Sequence, residues 1–263
     1  MRDPGLDQAI RAAGGVGALA RKIGIAQPSV SNWSRIPAER VLAVETATGI
    51  PRQVLRPDLY DSPQPVSESA PSDVDDIERA RAQTYALLAV LLARAPSVDL
   101  LARLAKVRGD ASPLGQAHSA LAEAAASATV ENVEREFFNL FIGIGRGELV
   151  PYGSYYLTGF LNERPLARLR DDLARLGIAR VTGYTEPEDH AAVVCDIMAG
   201  LAEGRFTTPP GADRDLFDRH LAPWIGRFFA DLERAQVANF YRHVGTIGRL
   251  FAAIEGEAFT LAA

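Results

Sequence analysis

The sequence predicts an all-α protein in two parts, a small N-terminal helix-turn-helix domain joined by a flexible linker to a larger helical bundle. Three observations carry that prediction. Strand signals are nearly absent. Most long segments space their apolar residues by three and four, the period of an amphipathic helix. One stretch breaks the pattern: residues 62–77, "SPQPVSESAPSDVDDI", hold three prolines, four serines and four acids with no Lys or Arg. That composition cannot build a core and reads as a self-repelling linker. It divides the chain into 1–61, 62–77 and 78–263, with net charges of +2, −4 and −3 that make up the chain's −5.

The chain as a whole sets bounds on function. Its 263 residues fit one large or two modest domains, and a hydrophobic content of 48% supports a sizeable core. The slight acidity gives no global nucleic-acid signature. No apolar run reaches the roughly 18 residues of a membrane span, so no membrane partner is expected. The opening "MRDPGLDQAIRAAGG" lacks the apolar centre of a signal peptide. Cys195 is the single cysteine, which excludes an internal disulfide and any CxxC pair. These features predict a cytoplasmic protein.

The first part carries "GALARKIGIAQPSVSNW". Ala20 supplies the small residue where two helices cross, and Gly24, four residues on, suits a sharp turn with positive φ. Ile23, Val30 and Trp33 fill the space between the helices. Gln27 opens the second helix, with Pro28 in its first turn. The outward positions are then Gln27, Pro28, Ser31, Asn32 and Arg35. Gln and Asn pair bidentately with adenine and Arg with guanine, while Ser29 is placed to reach a phosphate. This stretch, with "RIPAERVLAVETATG" and "LRPDLY" after it, resembles the Cro/YdaS-type helix-turn-helix regulators over about residues 5–60. The resemblance implies duplex DNA as a partner. Such proteins usually read paired half-sites as dimers, so a homodimer is among the expected partners. The link between Trp33 and Pro37 is shorter than the basic loop often found there. The alternative is a helical hairpin that docks a protein, and a net charge of only +2 favours it, because DNA affinity leans on phosphate neutralisation.

In the second part, residues 78–95 are apolar almost all round, as a central buried helix would be. "GIGRGE" offers Gly143, Gly145 and Gly147 after a helical segment, with no strand before them and no Lys-Ser/Thr pair, so it reads as a plain loop and not a phosphate cradle. Leu166, Leu169, Leu173 and Leu176 step by three and four along an amphipathic helix. Leu216–Leu232 and Phe240–Ile254 repeat that pattern with large aromatics.

"TEPEDHAAVVCDIM", residues 185–198, puts three acids and a histidine where an apolar run begins. A di-iron bundle needs two Glu-x-x-His pairs. Glu186 and His190 are four apart, and no second copy exists. His118, His220 and His243 lie in unrelated contexts. No GxSxG elbow supports a hydrolytic triad, and Cys195 reads as a core thiol. No catalysis, metal or cofactor is expected. Thr185 and Glu188 fit a capping box, with Pro187 in the first turn of the helix. Capping does not require Asp189 followed by His190.

"FFNLFIGIGRGELVPYGSYY", then "RPLARLRDDLARLGI", then "EPEDHAAVVCDIMAGL", in that order, resemble the TorD/DmsD family of redox-enzyme maturation chaperones over about residues 78–255. The resemblance implies an all-helical, cytoplasmic domain. It implies binding of the N-terminal leader, often a twin-arginine signal, of an apo-molybdoenzyme catalytic subunit until its cofactor is inserted. By motif, Tyr152, Ser154, Tyr155, Glu186, Pro187, Asp189 and His190 become the candidates for client contact. Position 153 is Gly where some relatives carry Glu, which removes one carboxylate. A leader of that kind needs carboxylates for its guanidiniums and an apolar groove for the rest. Asp189 at a groove rim would supply the first; Tyr152, Tyr155 and Phe160 would line the second. The alternative for Asp189 and His190 is a structural hydrogen bond at the helix start. The alternative for the whole chain is a transcription regulator whose large domain is a sensor or dimerisation module.

Overall fold

The computed structural model describes residues 3–59, 73–180 and 185–261. Among them every regular element is helical, and the one strand-like feature is an isolated antiparallel bridge between Tyr152 and His190. Residues 1–72 and 73–263 form two compact units, each with a hydrophobic core of its own.

In the small unit Asp3 opens α1 (Pro4–Ala13) by accepting the Gly5 N–H at 2.9 Å. α2 (Val16–Lys22) runs into Gly24, whose φ of 71° is the left-handed conformation the sharp turn requires. The Ile25 N–H reaches back to the Ala20 carbonyl at 3.0 Å. α3 (Gln27–Ser31) carries Pro28 in its first turn, as expected. α4 (Val41–Thr48) and α5 (Arg52–Leu55) complete the unit. Leu6, Leu19, Ala20, Val30, Ile36 and Leu55 are its buried centre, with Ile23 and Trp33 packed against them. The expected second helix is shorter than the sequence implied. It stops at Ser31 with Asn32 as C-cap, so Arg35 lies in the bend beyond it. Ile36 is fully buried and precedes Pro37, which disfavours helical geometry at Ile36 and returns the chain to the core.

The large unit begins with α6 (Asp73–Ala93), so residues 73–77 of the expected linker are helical, while 62–72 lie outside the described residues. Acids in a first turn suit the helix dipole, and Asp76 pairs with Arg79 one turn on. α7 (Val98–Leu104), α8 (Pro113–Ser127) and α9 (Val130–Phe137) follow, the last running into a π-helical turn at Phe138–Ile142. α10 (Gly153–Thr158) and α11 (Arg164–Arg175) precede α12 (Ala191–Ala202). α13 (Ala212–Leu216) passes through a second π turn, Phe217–Leu221, to α14 (Ile225–Arg234) and α15 (Phe240–Leu261).

The enclosed helix is α12, not α6. α12 packs along α6, and α15 packs against both α14 and α8. α6 buries one face through Tyr85, Leu88, Leu91 and Leu92 but leaves Val90 exposed. Cys195, on α12, is buried as expected, and burial pushes its thiol up to about 12, so it is inert as a nucleophile at neutral pH. Two acids hold α15 in place. Glu136, nine-tenths buried, accepts the backbone N–H groups of Asn239 (2.7 Å), Phe240 (3.1 Å) and Tyr241 (2.7 Å). Arg81 on α6 sits between Glu255 of α15 and Asp213 of α13, each 2.8 Å away.

Candidate functional site

The segment "VPYGSYYLTG" and the segment "EPEDH" meet, joining residues 34 and 35 positions apart in the chain. The Gly153 N–H donates to the Asp189 carbonyl (2.9 Å), and the Ala191 N–H donates to the Pro151 carbonyl (2.8 Å). These two bonds make the Tyr152–His190 bridge. They fix the start of α10 against the start of α12.

Side chains extend the junction. Asp189 is 4% exposed, and its Oδ2 accepts the Ser154 N–H at 2.8 Å, capping α10 from outside. Its Oδ1 and the Ser154 hydroxyl, also buried, have no hydrogen-bond partner among the described residues. His190 is the N-cap of α12: its Nδ1 accepts the Ala192 N–H at 3.1 Å, which leaves the ring proton on Nε2. Its ring meets the Tyr152 ring edge-on, centroids 4.9 Å apart. Burial pushes the imidazole below its ordinary value of 6.5, over the opposing pull of Glu186 and Asp189. The Tyr152 hydroxyl donates to Glu186. The Pro187 carbonyl accepts the His190 N–H at 3.1 Å, closing a turn.

The capping expectation for this stretch is therefore corrected. The helix starts at Ala191, and Thr185 and Pro187 precede it. Glu188 is not a cap. It takes Arg170 at 2.7 Å and Arg180 at 2.9 Å, and these outweigh partial burial to hold its carboxyl below the usual range. The His190 side chain caps the helix instead, so the helix starts later in the chain than a Thr185 cap would place it.

Asp189 lies in the floor of a cleft, not at its rim. The cleft encloses about 410 Å³ and is lined by Asp189, Gly153, Leu157, Asp172, His220 and Trp224, among others. A larger groove of about 700 Å³ lies elsewhere, between α14 and α15, and holds none of the expected residues. In the cleft, His220 Nε2 is 2.6 Å from Asp172 Oδ2. Burial alone would raise the Asp172 carboxyl; the His220 bond and Arg175 hold it below the usual range. The Trp224 indole donates to the His220 carbonyl at 2.6 Å and packs on Gly153.

Tyr155 faces away from the junction, where its hydroxyl meets Arg146 of the glycine loop. Gly143 and Gly145 take φ of 61° and 89° in that loop, which folds back on the π turn through Leu149 N–H to Leu140 C=O (2.8 Å). Leu157, in the lining of the cleft, is exposed, as are Phe160 and Leu161 just after it in the chain, and Ile144 of the glycine loop is 99% exposed; Arg168, Arg175 and Arg219 also line the cleft. Asp172, His220 and Trp224 escaped sequence reasoning. Asp172 read as part of the solvated face of α11, and the other two sit 48 and 52 residues further on, with no local pattern to join them. Among the described residues no cluster of three or more His, Cys, Asp or Glu fits a metal ion. No helix among them is long and apolar enough to cross a membrane.

In the small unit Gln27, Pro28, Ser29, Ser31, Asn32 and Arg35 are all exposed. Gln27 lies against Gly17 of α2. Arg35 is engaged, with its Nη1 3.4 Å from Asp58 Oδ2.

Residues 108–230 match the sequence model of the nitrate reductase delta subunit family, and residues 6–64 match that of the bacterial toxin YdaS. Similar curated proteins include the chaperone protein TorD of Vibrio cholerae, 30% identical over 35% of this chain and 46% of its own length. The probable Tat proofreading chaperone DmsD of Haemophilus influenzae is 31% identical over 43% of this chain and 54% of its own. The chain thus spans about half the length of the curated relatives it matches. A putative redox enzyme maturation protein from Archaeoglobus fulgidus aligns with a TM-score of 0.44 at 19% identity, over 66% of this chain and 92% of that one. Both resemblances read from the sequence, each over its own unit, are borne out by the family models and the curated relatives.

Proposed function

We propose, for a chain whose large unit carries TorD/DmsD-type chaperone sequence and whose small unit carries a Cro/YdaS-type helix-turn-helix, that it is a cytoplasmic, non-catalytic maturation chaperone. The large unit binds the N-terminal leader of a molybdenum-cofactor oxidoreductase subunit. The observation that carries this reading is the Asp189 carboxylate, with one oxygen committed to α10 and the other buried without a partner among the described residues, in a residue that lines a cleft together with exposed Leu157, which Phe160 and Leu161 follow in the chain. A guanidinium satisfies a buried carboxylate oxygen with a charge-assisted bond, and the apolar stretch behind it covers the exposed side chains. Tyr152, Glu186, Pro187 and His190 hold that carboxylate in place; Ser154 and Tyr155 belong to the helix it caps.

Titration calorimetry with synthetic leader peptides tests this. A peptide with paired arginines before an apolar stretch is expected to bind. Its Arg-to-Lys version is expected to bind at least tenfold more weakly, because an ammonium cannot fork. Equal affinity for the two, or for a peptide whose apolar stretch is replaced by serine, rejects the reading.

The small unit binds duplex DNA, which the YdaS match and the exposed Gln27, Ser29, Ser31 and Asn32 support. The reading of the two units as separate domains is supported by their cores, which share no residue. A fragment of residues 73–263 is expected to keep the melting transition that the large unit shows in the full chain; its loss rejects the division.

A further inference from the structure

We propose that Asp58 is a positioning residue for Arg35, turning its guanidinium toward a guanine in the bound duplex. The inference rests on the DNA-binding reading of the small unit and adds a residue to it.

Arg56 is the anchor. Its side chain is 7% exposed, and its Nη1 donates to the carbonyl of Ile36, the residue that follows Arg35. Its other edge forks onto Asp58: Nε to Oδ1 at 2.7 Å and Nη2 to Oδ2 at 2.8 Å. A bidentate pair of this kind fixes the plane of the carboxylate as well as its position. The Asp58 carboxyl is held down to about 2, chiefly by the Arg56 bond, so it stays ionised at any pH where the protein would meet DNA.

The same Oδ2 faces Arg35 Nη1 at 3.4 Å. Arg35 is thus restrained from two directions by one buried residue: Arg56 pins the backbone just after it, and Asp58 on Arg56 orients its guanidinium. Among the described residues the remaining donors of Arg35 make no hydrogen bond, and its side chain is 61% exposed. With Nη1 turned to Asp58, the Nε–Nη2 edge is the pair of donors left for a base. That edge matches the O6 and N7 acceptors of guanine in the major groove. Arg35 reads from the bend after α3 and not from the helix, so it depends on such a support where a helical residue would not. A free arginine at this position would lose that orientation to rotamer entropy.

The test is selection of binding sites from a randomised duplex library, with the full chain. The wild-type protein is expected to enrich a site with guanine at one position. Arg35→Lys, which keeps the charge but lacks the fork, is expected to lose about tenfold of that preference while keeping the salt dependence of binding. Asp58→Asn is expected to lose the same preference at the same position and no other. In an Arg35→Ala background Asp58→Asn is expected to change nothing further, which a general structural role of Asp58 would not produce. If Asp58→Asn instead binds all sequences more tightly with guanine still preferred, Asp58 only offsets charge and the inference is overturned. An Asp58→Asn protein whose small unit no longer folds, beside an Arg35→Lys protein with undiminished preference, overturns it too. A wild-type protein that enriches no site rejects the DNA-binding reading itself, and the inference falls with it.

Discussion

Gly153 leaves room for the indole of Trp224: a β-carbon at position 153 would lie 2.9 Å from Nε1 and 3.1 Å from Cε2. Trp224 is 1% exposed, and its N–H is committed to the His220 carbonyl, so the ring has nowhere to move. The glycine is a packing requirement at this position. Gly153→Ala is expected to cost about 1–3 kcal/mol for overpacking, less a few tenths for better helix propensity. Gly153→Glu, which also forces a charge against a buried ring, is expected to cost more. Thermal unfolding of both variants checks this; a glutamate variant as stable as the wild type would show that the indole can yield.

Glu136 ties α9 to the start of α15 through three backbone N–H groups. A helix start left without an acceptor costs about 1–2 kcal/mol, and bonds to a charged acceptor are at the strong end. Glu136→Ala is therefore expected to lose about 2–3 kcal/mol, which for a unit of this size is roughly 5–10 °C in melting temperature. Glu136→Gln keeps one acceptor oxygen and is expected to fall about midway. If the alanine variant melts with the wild type, water replaces the carboxylate and α15 does not depend on it.

What the sequence disclosed follows from which signals are local. The turn at Gly24, Pro28 at the start of α3 and the buried Cys195 rest on neighbours within a turn or two, and each is found where its residues implied. The order of the chaperone motifs pointed to one region, and the structure joins Tyr152 to His190 there. The capping box failed because a T-x-x-E pattern is a local preference, while the tertiary bond from Ala191 to Pro151 and the pairs from Glu188 to Arg170 and Arg180 claim the same groups. The reach of α3 was overstated because burial of Ile36 against the core is a long-range fact. Asp172 with His220, and Asp58 with Arg35, are pairings 48 and 23 positions apart that no short window of sequence contains.

His190 makes stability depend on pH. Its folded pKa lies below the ordinary 6.5, so between the two values the unfolded chain takes up a proton that the folded protein refuses. The stability it contributes is complete above about pH 6.5 and is lost as pH falls toward the folded value, with a slope of at most about 1.4 kcal/mol per pH unit. His190→Asn keeps a side-chain acceptor for the Ala192 N–H but does not titrate. The drop in melting temperature of the large unit between about pH 7.5 and pH 5.5 is expected to shrink in this variant. It is not expected to vanish, because burial also lowers His243. Identical pH profiles for variant and wild type would assign the whole effect elsewhere.

Asp189 separates a fold role from a binding role within one side chain. Oδ2 caps α10 through Ser154, and Oδ1 is buried without a partner among the described residues. Asn retains an oxygen for the Ser154 N–H and removes the charge. An unpaired buried carboxylate oxygen is a cost to the free protein, so Asp189→Asn is expected to leave the melting temperature unchanged or raise it slightly. A bond from a guanidinium to a carboxylate contributes about 1.5–3 kcal/mol, so the same variant is expected to bind a paired-arginine leader peptide roughly 10- to 100-fold more weakly. Asp189→Ala also removes the cap and is expected to lose about 1–2 kcal/mol of stability. Calorimetric titration beside thermal unfolding reads both quantities on one sample. Reduced stability of the asparagine variant with full affinity for the peptide would assign Asp189 to the fold alone. Lost affinity at unchanged stability means that the unpartnered oxygen holds the arginine.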